Sequence, residues 1–500
     1  GSSWRRRPSP SSRRRPTDDA ILRWSWKHEG KPLDPVFKPG EKFVGDVDLH
    51  WDDERVLFSM RGPKGRWQVY EKYLSTPEAP RQLTGEQPDV DSYDACYLPN
   101  GRIAFTSTAS FVGVPCVNGS AHVANLYIMD GDGSNIRQLC FDQEHNWCPT
   151  VMNDGRILYA RWEYTGTPHS NTRLLFTMNP DGTSQFAYLG GSSYWPNSFF
   201  YARPIPGHPS KVVAVIGGHH DHPRMGELVL FDPQLGRREG QPVVQRIPGF
   251  GEKVEPVISD GLTLESWPKF LHPWPLDEKN FLVSCKPSSK AAWGIYLADV
   301  FDNLVLLKET PGFALMEPIP LRQTKRPPVI PERVNTERDD ALVVLQNIYE
   351  GDGLKGVPVG SVKSLRIFAY HYAYQGMGGL LGVVGMDGPW DVKRILGTVP
   401  VEPDGSARFH VPANMPISLQ PLDSQSRAIQ LMRSWTTAMP GETLQCTGCH
   451  DRRNMAPPAK ISQAMKNLPS EITPWYGPAR GFSYAREVQP VIDQHCVSCH

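Results

Sequence analysis

The stretch "PNGRIAF" at 99–105 returns as "NDGRILY" at 153–159, and "LYIMDGDGSN" at 126–135 returns as "LFTMNPDGTS" at 175–184. "RQLT" at 81–84 likewise returns as "RQLC" at 137–140, and weaker copies begin at Glu227 and Gly294. The offsets all lie near fifty residues. Each unit alternates apolar and polar residues in short runs. The runs are separated by Asn-Gly or Asp-Gly, which supply the positive φ that tight hairpins require. Four short strands at a period of roughly 40–50 residues are the pattern of a β-propeller blade. Pro and Gly inside every unit count against a helical solenoid, since both break helices. About 285 residues at this period predict five or six blades over 39–325.

The texture then changes. "TKRPPVIPERVNTERDD" (324–340) is Pro-rich and charged and reads as a linker. Residues 335–475 hold strand-like runs that predict a β-sandwich-like middle domain, including a hairpin around Asp404-Gly405 in "VPVEPDGSARFHVP". "AKISQAMKNLP" reads as a short helix. "SYAREVQPVIDQHC" reads as an amphipathic helix with Val488, Val491 and Ile492 on one face, its start limited by Pro490. The expected fold is therefore mainly β: a five- to six-bladed β-propeller, a β-sandwich-like middle domain and a small helical region at 476–500.

Composition adds limits. Lys plus Arg equals Asp plus Glu at 53 each, so no net charge points to nucleic acid. No run approaches the ~18 apolar residues of a membrane helix. "WRRRPSPSSRRRP" carries six Arg in thirteen residues but lacks the apolar run of a twin-arginine export signal. Residues 1–38 are therefore expected to form a disordered basic arm.

Nine cysteines are present. Four stand in two Cys-x-x-Cys-His frames, Cys446-Thr-Gly-Cys449-His450 and Cys496-Val-Ser-Cys499-His500. This frame attaches c-type haem. Two thiols three positions apart reach the two vinyl groups on one porphyrin edge, and the adjacent imidazole supplies an axial nitrogen to the iron. A zinc ribbon places its pairs about 15–20 residues apart. Here 46 residues separate them, each pair followed by His. A thioredoxin-like pair needs a βαβ context, which is missing. Two haem c groups are thus expected, held by Cys446, Cys449, Cys496 and Cys499, with His450 and His500 on the irons. Such attachment occurs outside the cytoplasmic membrane, so a periplasmic or otherwise exported protein follows. A haem cup also needs polypeptide beyond its anchor, so a chain stopping at His500 predicts a truncated second haem domain. Cys96, Cys116, Cys140, Cys148 and Cys285 remain and allow at most two disulfides among themselves.

Two further clusters invite a metal or haem-pocket reading. "GGHHDHPRMGE" concentrates His219, His220 and His222 around Asp221, enough imidazole for zinc. Neighbouring strand residues point to opposite faces, however, so a surface loop is the competing reading. Tyr370, His371, Tyr372 and Tyr374, with His410, are candidates for the sixth haem position, against an ordinary aromatic strand.

The order of parts, with "VEPDGSARFHVPANMPISLQPLD" and then "QCTGCHDRRN", resembles the alpha subunit of hydrazine synthase and its relatives over nearly the whole chain from about residue 45. The resemblance implies a middle-domain haem on Cys446 and Cys449 where nitrogen compounds react, and a C-terminal haem on Cys496 and Cys499 that passes electrons. In the synthase subunit a Tyr shortly after the motif ligates the iron and frees the motif His for a metal. Asp451, Arg452, Arg453 and Asn454 follow here. That departure leaves His450 as an ordinary axial ligand and points to a relative with different haem chemistry. The leading expectation is a dihaem oxidoreductase or electron-transfer subunit working with other redox subunits or carriers. The alternative is a propeller that binds a glycan or protein partner, with structural or sensory haems.

Overall fold

The computed structural model describes residues 19–25, 27, 33–40, 42–114, 117, 119–163, 173–191, 193–372, 392–449, 460–476 and 484–498. The chain divides into two compact units. One comprises 1–339, 372–392 and 436–442; the other comprises 340–371, 393–435 and 443–500.

The first unit is a succession of four-stranded antiparallel meanders. They run Val44–Gln82, Ser92–Gln138, Asn146–Leu189, Ser198–Ile247 and Lys269–Lys308. The third and fourth touch through a single parallel pair, Arg173 with Ser198. The second strand of a sheet is typically buried throughout, as in Ile103–Ser107, Ile157–Trp162 and Val212–Gly217. A strand buried on both faces reads as a continuous apolar run. The cover comes from the adjacent sheets. Leu57 and Val69 of the first sheet pack with Phe105 and Met129 of the second. Ala104 and Ile128 of the second pack with Tyr159 and Phe176 of the third. Leu158 and Leu175 of the third pack with Phe199 and Val212 of the fourth. Val213 and Leu228 of the fourth pack with Phe281 and Val283 of the fifth. Sheets stacked in chain order in this way make a β-propeller-like fold. The repeated Asp-Gly-Ser/Thr turns share one device. Asp132 accepts from the Ser134 amide at 2.9 Å, and Asp181 from the Thr183 amide at 3.0 Å, beside glycines at φ +92° and +89°.

Two expectations for this unit need correction. Residues 21–23 and 34–37 are not part of a disordered arm but pair as strands. Ile21 and Phe37 pack against the cluster around Phe58 and Tyr70, and that apolar burial outweighs the basic composition upstream. The 324–340 segment is likewise no free linker. Thr324 donates to the Trp51 carbonyl at 3.1 Å. The Pro328 carbonyl lies against Gly155, where a Cβ would not fit. Glu332 pairs with Arg102 and Arg137, and the Arg333 amide donates to Asp181 at 2.6 Å. The segment is thus a strap laid along turns of the first three sheets.

The second unit holds two sheets. One orders Ala407–Pro412, Asp340–Leu345 and Thr443–Cys446; the other orders Ile417–Leu422, Ser364–His371, Val392–Pro400 and Thr473–Pro474. Alternating burial in Ala407–Pro412 and Ser364–His371 gives each one buried face, as a sandwich requires. The turn at Asp404-Gly405 forms, with Gly405 at φ +83° and Asp404 accepting from Ser406. It is not a hairpin. Val392–Pro400 and Ala407–Pro412 go to different sheets, because Ala407–Pro412 finds a six-residue partner in Asp340–Leu345. "AKISQAMKNLP" forms only a 3-10 turn, Ala464–Lys466. The terminal helix covers Gln489–His495, begun by Pro490 in its first turn, and Val491 on it is 55% exposed. Among the described residues no helix is long and apolar enough to cross a membrane.

Candidate haem-attachment site

Cys446 ends the strand Thr443–Cys446, which runs parallel to Asp340–Leu345 with Leu345 opposite Cys446. The ladder continues past the strand. Gln346 donates to the Cys446 carbonyl at 2.9 Å, Asn347 to that of Thr447 at 3.0 Å, and Gly353 to that of Cys449 at 3.0 Å. Gly448 makes this approach possible. A Cβ there would stand 2.8 Å from the Asn347 carbonyl oxygen and closer still to that of Glu350. The middle pair of the motif is therefore fixed by backbone on both sides, while Cys446 and Cys449 remain half-exposed. Thiols three positions apart, held rigidly and open to solvent, fit the demands of thioether attachment. His450 lies outside the described residues, as do Cys499 and His500. Cys496 is exposed at the end of the terminal helix, its amide bonded to the Ile492 carbonyl at 2.8 Å.

The other candidates are dispersed. Tyr370 is buried, donates to the Ser434 carbonyl at 3.3 Å, packs against Trp435 and carries the Lys393 ammonium over its ring. It is a core residue. His371 is exposed, its imidazole held below the usual range by desolvation and by Arg394. Tyr372 groups with the first unit, and Tyr374 lies outside the described residues. His410 pairs with Asp340 at 2.7 Å, two residues along the neighbouring strand from its register partner Leu342.

The His219–His222 stretch is a loop held by its acid. Asp221 accepts from the amides of Gly218, His222 and Thr263 and from the Thr263 hydroxyl. His219 packs edge-on against Trp162, while His220 turns outward to Asp260 at 2.6 Å. Among the described residues no three His, Cys, Asp or Glu side chains gather as a metal requires. Cys96, Cys140, Cys148 and Cys285 are buried thiols. Burial pushes Cys285 up to about 12, and burial followed by Asp94 does the same for Cys148.

No residue pattern pointed to the polar cavity of about 60 Å³ inside the first unit, lined by residues such as Asp46, Asp94, Cys148, Tyr201, His272 and Glu317. The first five occupy one equivalent place, a bulge in the first strand of each successive sheet. All six have φ between +47° and +55°. Their side chains differ, so no residue pattern marks them. The Pro after Cys148, His272 and Glu317 was the one recurring signal.

Residues 360–451, including both cysteines of the first motif, match the family model of the hydrazine synthase alpha subunit middle domain. Over that segment the chain is similar to the hydrazine synthase alpha subunit family. Hydrazine synthase from Kuenenia stuttgartiensis superposes with a TM-score of 0.73 over 94% of this chain and 76% of that one, at 17% identity. At that identity the likeness is one of fold. A TolB-type protein from Agrobacterium tumefaciens covers 55% of this chain and 84% of its own, at 11% identity and a TM-score of 0.38. No curated protein matches the sequence.

Proposed function

We propose that this hydrazine synthase alpha-like chain is an exported dihaem c-type protein that works in haem redox chemistry or electron transfer with partner redox subunits or carriers. Cys446 and Cys449 would hold the first haem with His450 on the iron; Cys496, Cys499 and His500 would hold the second. The carrying observation is the turn at Gly448, which presents two half-exposed thiols from a backbone-locked strand end within the family-matched segment. A haem bound there supplies one-electron chemistry. The protein's own contribution is positional. The parallel ladder fixes Cys446, and the Gly353–Cys449 bond fixes the second anchor. Small nitrogen compounds are the substrate class that the relative's name suggests. The Asp-Arg-Arg-Asn sequence after the motif supports chemistry that differs from the synthase.

The test is the ferrous spectrum of protein matured with a haem-attachment system, with and without carbon monoxide or nitric oxide. A shifted spectrum supports a reactive first haem. Two haems that both ignore the gases would leave electron transfer and remove the catalytic reading. The polar cavity favours a second reading, a propeller that binds a partner while its haems sense or brace. That reading requires partner binding to be unchanged when the haems are reduced.

A further inference from the structure

Among the described residues no strand pairing joins the fifth sheet of the first unit to the first. The segment after the fifth sheet does join them. Leu315 donates to the carbonyl of Trp293, between two strands of the fifth sheet, at 3.1 Å. Two residues on, the Glu317 carboxylate accepts from the amides of Asp46 at 3.1 Å and Val47 at 2.7 Å in the first sheet, 271 and 270 residues away. One oxygen serves each amide.

The same kind of link recurs around the cavity. The Asp94 carboxylate takes the Cys148 amide at 2.7 Å. The Ser59 hydroxyl takes the Asp94 amide at 2.9 Å and bonds in turn to Asp46. The Cys148 sulfur faces the Tyr201 amide, and the Tyr201 ring lies 4.2 Å from that of His272. Each bulge exposes backbone N–H groups that the ladder no longer pairs, and a buried N–H needs an acceptor. At Asp94 and Cys148 the side chain at one bulge therefore satisfies the backbone at the next. Glu317, in the same left-handed backbone state at φ +53°, supplies this link where the sheets run out.

We infer that Glu317 is the clasp of the first unit: its side chain, in place of a shared strand, closes the fifth sheet onto the first. The inference is independent of any haem. Gln retains one acceptor oxygen at this position and Ala retains none.

The test is amide hydrogen exchange on the full chain, comparing wild type, Glu317→Gln and Glu317→Ala. The clasp predicts that Asp46 and Val47 exchange at least tenfold faster in Glu317→Ala, with protection lost across 44–82 before 146–247. Glu317→Gln should fall between the two. Equal loss across all five sheets, or unchanged Asp46 and Val47 protection, overturns it. Should Glu317→Ala not fold, Glu317→Gln carries the same comparison at reduced amplitude. Uniform exchange in that variant overturns the clasp equally.

Discussion

The Asp94 carboxylate accepts a 2.7 Å hydrogen bond from the Cys148 amide, 54 residues on and in the next sheet. It does so among other acids. Burial, followed by the nearby Asp46, pushes its carboxyl up to about 7, while Arg224 and the Cys148 amide pull the other way. The folded-state value thus lies above the ~3.9 of an unfolded Asp. Its favourable contribution is complete below that unfolded value and is lost as pH rises through about 7. Asp94→Asn removes the charge and keeps an acceptor for Cys148. Thermal unfolding of the variant should lose less stability between pH 5 and pH 8 than wild type, by on the order of 1–2 kcal/mol. Parallel pH profiles would show that Asp94 is already ionised at pH 5.

Gly448→Ala tests the turn between the first two anchors. The added methyl meets the Asn347 and Glu350 carbonyls, backbone atoms that cannot swing aside. A forced shift of this kind typically costs about 1–3 kcal/mol. Covalent haem at the first motif should fall while that at the second persists, as read by the haem-to-protein ratio.

Tyr370→Phe separates a core tyrosine from an iron ligand. The hydroxyl donates to the Ser434 carbonyl at 3.3 Å, and the ring stays in place against Trp435. Stability should drop by about 1 kcal/mol. The haem spectrum should not change. An altered ferric spectrum would put Tyr370 on or next to the iron.

Glu442 is nearly buried and accepts from the Ser184 amide at 2.7 Å and the Met439 amide at 2.8 Å. Desolvation raises its carboxyl. Glu442→Ala strands both donors, each at about 1–3 kcal/mol. Urea unfolding should show a loss of roughly 2–4 kcal/mol, and Glu442→Gln should recover much of it.

The repeat period revealed the stacked meanders because Asn-Gly and Asp-Gly turns are local chemistry, written where they act. The Asp404-Gly405 turn shows the limit. Its local geometry was legible, yet the partner of Ala407–Pro412 is Asp340–Leu345, more than sixty residues upstream, and no local signal names it. Composition misread residues 21–23 and 34–37 because Ile21 and Phe37 gain their burial from a distant cluster. The 324–340 strap was misread for the same reason, since Glu332 and Arg333 are satisfied by Arg102, Arg137 and Asp181. At the candidate site the cysteines were legible from spacing, while the need for glycine between them emerges only from the facing carbonyls. The bulge positions were invisible because backbone conformation, not residue type, makes Asp46, Asp94, Cys148, Tyr201 and His272 equivalent.

The most direct test of the central proposal is mass spectrometry of peptides spanning residues 443–449, from protein produced with a haem-attachment system. Haem bonded through thioethers to both Cys446 and Cys449, and lost from the double Ser variant, is the predicted result. Unmodified thiols at both positions, open to alkylation or holding zinc instead, would contradict it.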